Sequence, residues 1–423
     1  MSFTITLAAL VLAAGPAHRV DANGYLDKVT VGYHGAFATP KDGAQAGWGR
    51  WAEATPARGA AAVELYPDTR EYAADDLATT GLAPLGSGAP AQLFSSYSPR
   101  VVDTHFRWLE EAGLDGVGLE RLLTDTADPR ALARRNELTR HVRAAAEAHG
   151  RVFYVAYDLS GAPEAGWAEQ LQRDWTAVLQ GQLHLTDSPA YVREGGRPVV
   201  VLRGLGVPGG PGTVAETMDV IDWFKAQGCY VVGGVPAGWR TGEGTRPNFL
   251  SAYARLDAVQ PWAVGAFSDE AGAQDFVERV VRPDQAFAAQ LGVAYQQVLF
   301  PGLASSNAKG GARNAVPRRA GRFFWAQAWL ARRDQVSVVI AGFDSYGEGT
   351  AIAKAAEDVS MIPSDQYFLT LDADGQSVSS DFYLRLAGAA ARMLQGGEPS
   401  RDVPVPLRAE RWPGALARAA EQR

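Results

Sequence analysis

The residues able to do chemistry sit at the ends of short apolar runs. The segment Gly342-Phe343-Asp344-Ser345-Tyr346-Gly347-Glu348-Gly349-Thr350 places Asp344 and Glu348 among glycines, where the backbone can turn sharply and present a carboxylate. Other runs end in Tyr33-His34-Gly35, Tyr66-Pro67-Asp68, Glu120-Arg121, Tyr157-Asp158, Arg203 and Trp239-Arg240, and one contains Trp262. Carboxylates act as acid, base or nucleophile on a glycosidic bond, and bind hydroxyls through charge-assisted hydrogen bonds. Indole faces stack on sugar rings, and Trp48 and Trp51 lie in a Gly-rich loop where core packing is the harder explanation. The catalytic candidates are therefore Glu348, Asp344, Glu120 and Asp158. The candidate substrate contacts are His34, Trp48, Trp51, Asp68, Arg121, Tyr157, Arg203, Trp239, Arg240, Trp262, Arg318 and Tyr346.

Each has a competing structural reading. Glu64 fits a buried ion pair, Glu120-Arg121 an internal salt bridge, Tyr157-Asp158 a turn cap, and His34 a hydrogen-bonded core imidazole. Lys309, Arg313 and Arg318 mark a basic loop that fits either an anionic sugar or solvent.

The elements that must position these groups alternate along the chain. Strands are expected at Val29–Phe37, Ala61–Tyr66, Asp115–Leu119, Val152–Asp158, Pro198–Leu202, Tyr230–Val235, Ala258–Val264, Gln297–Phe300 and Val336–Ala341. Many are Val-rich without strict alternation, as parallel strands covered on both faces require. Helices are expected at Val101–Glu111, Leu132–His149, Gly166–Leu179, Thr213–Gln227, Gln274–Leu291 and Phe323–Arg332. A repeating strand–helix order implies a parallel sheet, and nine candidates for about eight places imply a (β/α)₈ barrel with one strand misassigned or outside it. The fold expectation is α/β: a (β/α)₈ TIM barrel with extended loops in a single domain over 25–395, followed by a C-terminal tail over 396–423. In a barrel, functional groups project from the C-terminal strand ends, where the polar residues above fall. No GxGxxG follows the first strand, which weakens the open-sheet, nucleotide-binding alternative.

Composition narrows the class. With 47% hydrophobic and 21% charged residues, a large core is affordable. Lys and Arg total 40 against 47 Asp and Glu, so no basic stripe stands ready for nucleic acid. The single cysteine, Cys229, excludes an intrachain disulfide and a thiolate zinc cluster, and no cofactor is expected. Phe3–Gly15 has the length of a signal-peptide core, with Gly15 and Ala17 as a cleavage pair, although no basic residue precedes it. A signal peptide over 1–17 and a secreted or periplasmic location are expected, with no membrane span and an oligosaccharide or polysaccharide as partner.

The last motif, Gly342 to Ile352, resembles the glycoside hydrolase family 71/99-like proteins, described as xylosidase/arabinosidase-like and related to the family 99 endo-α-mannosidases. The likeness runs in order through Gly47-Trp48-Gly49-Arg50-Trp51, Tyr66-Pro67-Asp68, Asp115-Gly116-Val117, Tyr157-Asp158-Leu159-Ser160-Gly161 and Gly233-Gly234-Val235-Pro236. It continues through Pro261-Trp262, Phe300-Pro301-Gly302, Pro317-Arg318 with Trp325 and Gln327, and Ser364 to Leu369. It implies a (β/α)₈ barrel and retaining hydrolysis of α-linked glycans. The family motif carries Glu at the positions of both Ser345 and Glu348. The first is proposed there to deprotonate a sugar hydroxyl, and the second acts as general acid/base. Here Ser345 cannot be that base, and loss of a positioned base typically costs about 10²–10⁴ in rate. Glu348 is thus expected as the acid/base, with Asp344, Glu120 or Asp158 supplying the altered second group. A carbohydrate-binding protein that kept the cleft without turnover is the alternative, and a non-hydrolytic reaction is the third.

Overall fold

The computed structural model describes residues 19–408, so the expected signal peptide and the last part of the tail lie outside the described residues. Eight parallel strands close on themselves: β1 Thr30–Tyr33, β2 Gly116–Leu122, β3 Val152–Asp158, β4 Arg197–Arg203, β5 Tyr230–Pro236, β6 Ala258–Trp262, β7 Ala294–Leu299 and β8 Ser337–Ile340. One pairing closes the ring. β3 pairs with β4 through Val155↔Val200 and Asp158↔Arg203, and β1 lies between β2 and β8 through Thr30↔Gly116 and Thr30↔Val339. The expected (β/α)₈ barrel is the observed fold.

The intervening helices begin and end where the sequence signals them. Helix α1, Pro99–Ala112, stops at Gly113 in the left-handed region with φ 78°. Helix α2, Pro129–Ala148, opens on Asp128, whose carboxylate accepts from Ala131 N at 2.7 Å. Helix α3, Trp167–Arg173, runs into a π-helical stretch, Asp174–Gln182. Helix α4, Val214–Ala226, starts with a capping box between Thr213 and Glu216. Helix α5, Glu270–Phe276, continues through a π-helical segment into α6, Arg282–Leu291; α7, Arg322–Arg333, and α8, Phe382–Leu394, complete the shell.

One expected strand is not in the barrel. Residues 61–66 are apolar because both sides are covered, not because they pair in the sheet. They run beside the turn after β8, with Glu64 N and Leu65 N donating to the Tyr346 carbonyl at 2.9 and 3.1 Å. An antiparallel hairpin, Leu77–Thr79 with Gln92–Phe94, was not expected from the sequence.

The barrel interior is polar at one level, where several side chains pair with one another. Tyr25 OH and Gln260 Nε2 both donate to Gln296 Oε1, at 2.6 and 2.7 Å, and Thr30 Oγ1 lies 3.1 Å from Tyr154 OH. Gly32 on β1 leaves the space the mouth needs, because a Cβ there would fall 2.3 Å from the Ala341 carbonyl oxygen and 3.6 Å from Glu120 Oε1.

Candidate active site at the barrel mouth

Side-chain alternation along β2 separates two neighbouring charges. Glu120 faces the barrel interior and Arg121 the helix layer. Glu120 meets Arg203 at the end of β4 through Oε1 and His34, just past β1, through Oε2. Burial pushes the Glu120 carboxyl up, but His34 and Arg203 outweigh it and hold the group at about 2. Burial likewise opposes charge on His34, and the Glu120 carboxylate reverses the sign, raising the imidazole above its ordinary value. The other ring nitrogen, His34 Nε2, lies 2.9 Å from Ser345 Oγ in the turn after β8. Arg135 of α2 donates to the His34 carbonyl at 2.8 Å and pairs with Asp125 at 2.6 Å. Asp158 closes β3 in register with Arg203, and its carboxylate accepts from Ser160 N at 2.9 Å.

The turn after β8 sorts its own residues by burial. Asp344 is fully buried, and its two oxygens accept the backbone N–H groups of His34 and Gly35, each at 2.8 Å. Burial raises its pKa against the pull of His34 and those amides. Tyr346 is also buried, with its hydroxyl donating to the Lys354 carbonyl at 3.1 Å. Glu348 is the member that reaches solvent. Its side chain is 50% exposed, with Lys309 Nζ 3.7 Å away. The backbone beneath it is fixed by Arg318, whose Nη2 donates to the carbonyls of Gly349 and Ala351, both at 2.8 Å.

Several expected contacts with substrate are instead parts of the scaffold. Arg121 forks onto Asp174 with two 2.6 Å bonds and reaches Asn136 at 2.8 Å, while Tyr157 OH donates to the same Asp174 at 2.7 Å. Trp239 and Arg240 both bind Asp284 of α6, at 2.8 and 2.7 Å. Trp51 is fully buried, donates to the Phe94 carbonyl at 2.8 Å and stacks near Phe37. Trp48 is buried too. Asp68 is buried and paired with Arg70, and Arg318 and Tyr346 are buried supports of the Glu348 turn. Loop position misled the reading of the tryptophans, because these loops fold over the barrel and bury them. Asp344, named as a catalytic candidate, has both oxygens engaged by backbone amides.

Trp262 behaves otherwise. It ends β6, is 40% exposed and lies under the Arg203 guanidinium at 5.6 Å, leaving indole surface at the rim. Beside the His34 turn lies a hollow of about 340 Å³ lined by Gly35, Arg50, Tyr97, Asp125, Arg134 and Arg135, among others. The sequence gives no local sign that Arg50, Arg135 and Ser345 are neighbours of His34. The one signal for Ser345 was the closed barrel itself, which sets the ends of the first and last strands side by side. Among the described residues, no group of three His, Cys, Asp or Glu side chains is arranged to hold a metal, and no helix is long and apolar enough to cross a membrane.

No family model matches the chain, and no curated protein matches it in sequence. Among solved structures, it is similar to the GH99 endo-alpha-mannosidase from Bacteroides thetaiotaomicron, with a TM-score of 0.62 at 12% identity over 89% of this chain and 98% of that one. A structure of the GH99 endo-alpha-mannosidase from that organism in complex with BIS-TRIS-Propane gives a TM-score of 0.60, again at 12% identity over 89% and 98% of the two chains. The likeness, spanning 89% of this chain and 98% of the other, shows a shared (β/α)₈ barrel fold.

Proposed function

We propose that the protein is a glycoside hydrolase acting on α-linked glycans at the barrel mouth. Glu348 exchanges a proton with the glycosidic oxygen, and Trp262 and Arg203 form the platform for a sugar ring. The observation that carries this reading is the contrast between two carboxylates on strand ends. Glu120, 5% exposed, is fixed as an anion between Arg203 and His34, while Glu348, 50% exposed, has a single lysine at 3.7 Å. A reachable carboxyl suits proton transfer, and a fixed anion suits support of positive charge growing at an anomeric carbon. The α linkage and the glycan class rest on the resemblance of the Gly342–Ile352 motif, and the fold shared with an endo-alpha-mannosidase supports them.

The same site supports a second reading, a glycan-binding protein without turnover. It is favoured by Ser345 standing where the motif has a carboxylate, and by both Glu120 oxygens being engaged. One experiment separates them. Purified protein is incubated with aryl and oligosaccharide α-glycosides, and binding is followed by calorimetry. Turnover that falls about 10²–10⁴-fold in Glu348→Gln, with binding kept, supports the hydrolase. Binding without turnover transfers the conclusion to the second reading, and neither with a broad glycan panel overturns both.

A further inference from the structure

Ser345, His34 and Glu120 stand in line across three strand ends. Ser345 Oγ is 2.9 Å from His34 Nε2, and the opposite ring nitrogen, Nδ1, contacts the Glu120 carboxylate. A hydroxyl, an imidazole touching it, and an acid orienting that imidazole make up the nucleophile–base–acid order that activates serine in unrelated folds. We propose that Ser345 is a nucleophile toward carboxylic esters, so that the barrel mouth hosts an acyl-transfer activity separate from glycoside hydrolysis.

Three observations go beyond coincidence of residue type. The His34 backbone is fixed on both sides, its N–H donating to Asp344 and its carbonyl accepting from Arg135, each at 2.8 Å, and the ring lies between Glu120 and Ser345. A main chain held in place at this strand end sets the ring beside the hydroxyl, with Nε2 2.9 Å from Ser345 Oγ. The relay also meets solvent, since the His34 side chain is 25% exposed although Ser345 is only 6% exposed. Finally, Ser345 lies in a tight turn between Asp344 and the Tyr346–Glu348 3₁₀ turn, with φ −77° and ψ 59°. Its hydroxyl folds back toward Gly342, where a Cβ would stand 2.2 Å from Ser345 Oγ. Glycine at 342 is thus what admits the hydroxyl to the position facing His34.

The step balances with water as the sole co-reactant. Ser345 Oγ bonds to the ester carbonyl carbon as its proton passes to His34 Nε2. The tetrahedral adduct collapses with cleavage of the carbon–oxygen bond to the alcohol, which leaves carrying that proton. Water then attacks the acyl-Ser345 carbonyl, giving its proton to His34 Nε2. The Oγ–carbon bond breaks, the carboxylic acid departs, and Ser345 recovers its proton. The groups that face His34 set the pH at which it can accept a proton. Burial opposes its charged form, Glu120 and then Asp344 outweigh that and favour it, and Arg50 opposes it. Reaction should therefore strengthen as pH rises through a raised imidazole pKa.

The test uses the full chain with diisopropyl fluorophosphate and p-nitrophenyl acetate. A stoichiometric phosphoryl adduct should map to Ser345, and acetate release should fall by at least about 10³-fold in Ser345→Ala. His34→Gln should slow labelling at least about 10²-fold. If the fluorophosphate does not fit, a Ser345→Cys variant reports on the same relay. Its thiol should be alkylated by iodoacetamide far faster than the same thiol in urea. No adduct at Ser345, together with a Ser345→Cys thiol no faster than its unfolded reference, overturns the proposal. Neither result touches the glycan reading, which is scored on α-glycosides.

Discussion

Asp344 accepts the backbone N–H groups of both His34 and Gly35 at 2.8 Å, so one buried carboxylate fastens the end of the first barrel strand to the turn after the last. Two hydrogen bonds to an ion, each worth about 1.5–3 kcal/mol, are at stake, together with the cost of leaving two buried amides unpaired. Asp344→Ala should lower stability by about 3 kcal/mol or more, seen as an earlier midpoint in urea. Asp344→Asn keeps one acceptor but turns an amide donor onto a backbone donor, and should fall between. An unchanged midpoint in both variants would show that the strand ends are held together some other way.

The tryptophans offer a paired contrast. Trp239 is 1% exposed and its indole N–H donates to Asp284 at 2.8 Å, while Trp262 is 40% exposed at the rim. Trp239→Ala removes a core side chain and should cost about 3–5 kcal/mol of stability. Trp262→Ala should leave the melting temperature nearly unchanged and weaken glycan binding in calorimetry. Loss of stability without loss of binding in Trp262→Ala would place the sugar elsewhere on the rim.

The barrel was legible because its strands are Val-rich runs separated by capped helices. Both signals are local, and of the nine expected strands eight are in the barrel, seven with ends within a few residues of the observed ones and Val152–Asp158 reproduced outright. Residues 61–66 failed for the same reason that the others succeeded. An apolar run reports burial, and burial against the β8 turn looks the same as burial in a sheet. The site was legible to one degree less. Strand-end position located His34, Glu120 and Arg203, but alternation decides which neighbour faces inward, and it sent Arg121 and Tyr157 to Asp174. Loop tryptophans misled because nothing local records that a loop folds back over the barrel. Ser345 looks in the sequence like a missing carboxylate and nothing more, since its partner His34 is 311 positions away.

The outward network around Asp174 should be structural and nothing else. Arg121, 1% exposed, has its charge met by Asp174, which is itself buried and also takes the Tyr157 hydroxyl at 2.7 Å. Asp174→Ala leaves a guanidinium buried without its counter-ion and should cost about 3–5 kcal/mol. Tyr157→Phe removes one hydrogen bond to a charged acceptor and should cost about 1.5–3 kcal/mol. Activity per folded molecule on any substrate should match the parent in Tyr157→Phe. A selective fall in turnover there, with folding intact, would mean that the network steers Glu120 from behind its strand.

Stability should depend on pH through the Glu120–His34 pair, with opposite signs for the two groups. Glu120 is held at about 2 in the folded chain, below the ordinary glutamate value. Its contribution is present above that ordinary value and is lost as pH falls toward about 2. His34 is raised, so its contribution is complete below the ordinary imidazole value and is lost as pH rises through the folded one. The pair therefore stabilises most in the weakly acidic range and fades on both sides. Urea unfolding of the parent and of His34→Gln from about pH 4 to about pH 9 isolates the histidine limb. The stability gap between them should be widest at the acid end of that span and narrow toward the alkaline end. A gap that stays constant would mean that His34 binds its proton equally well in the folded and unfolded chains, so that Glu120 does not favour the charged imidazole.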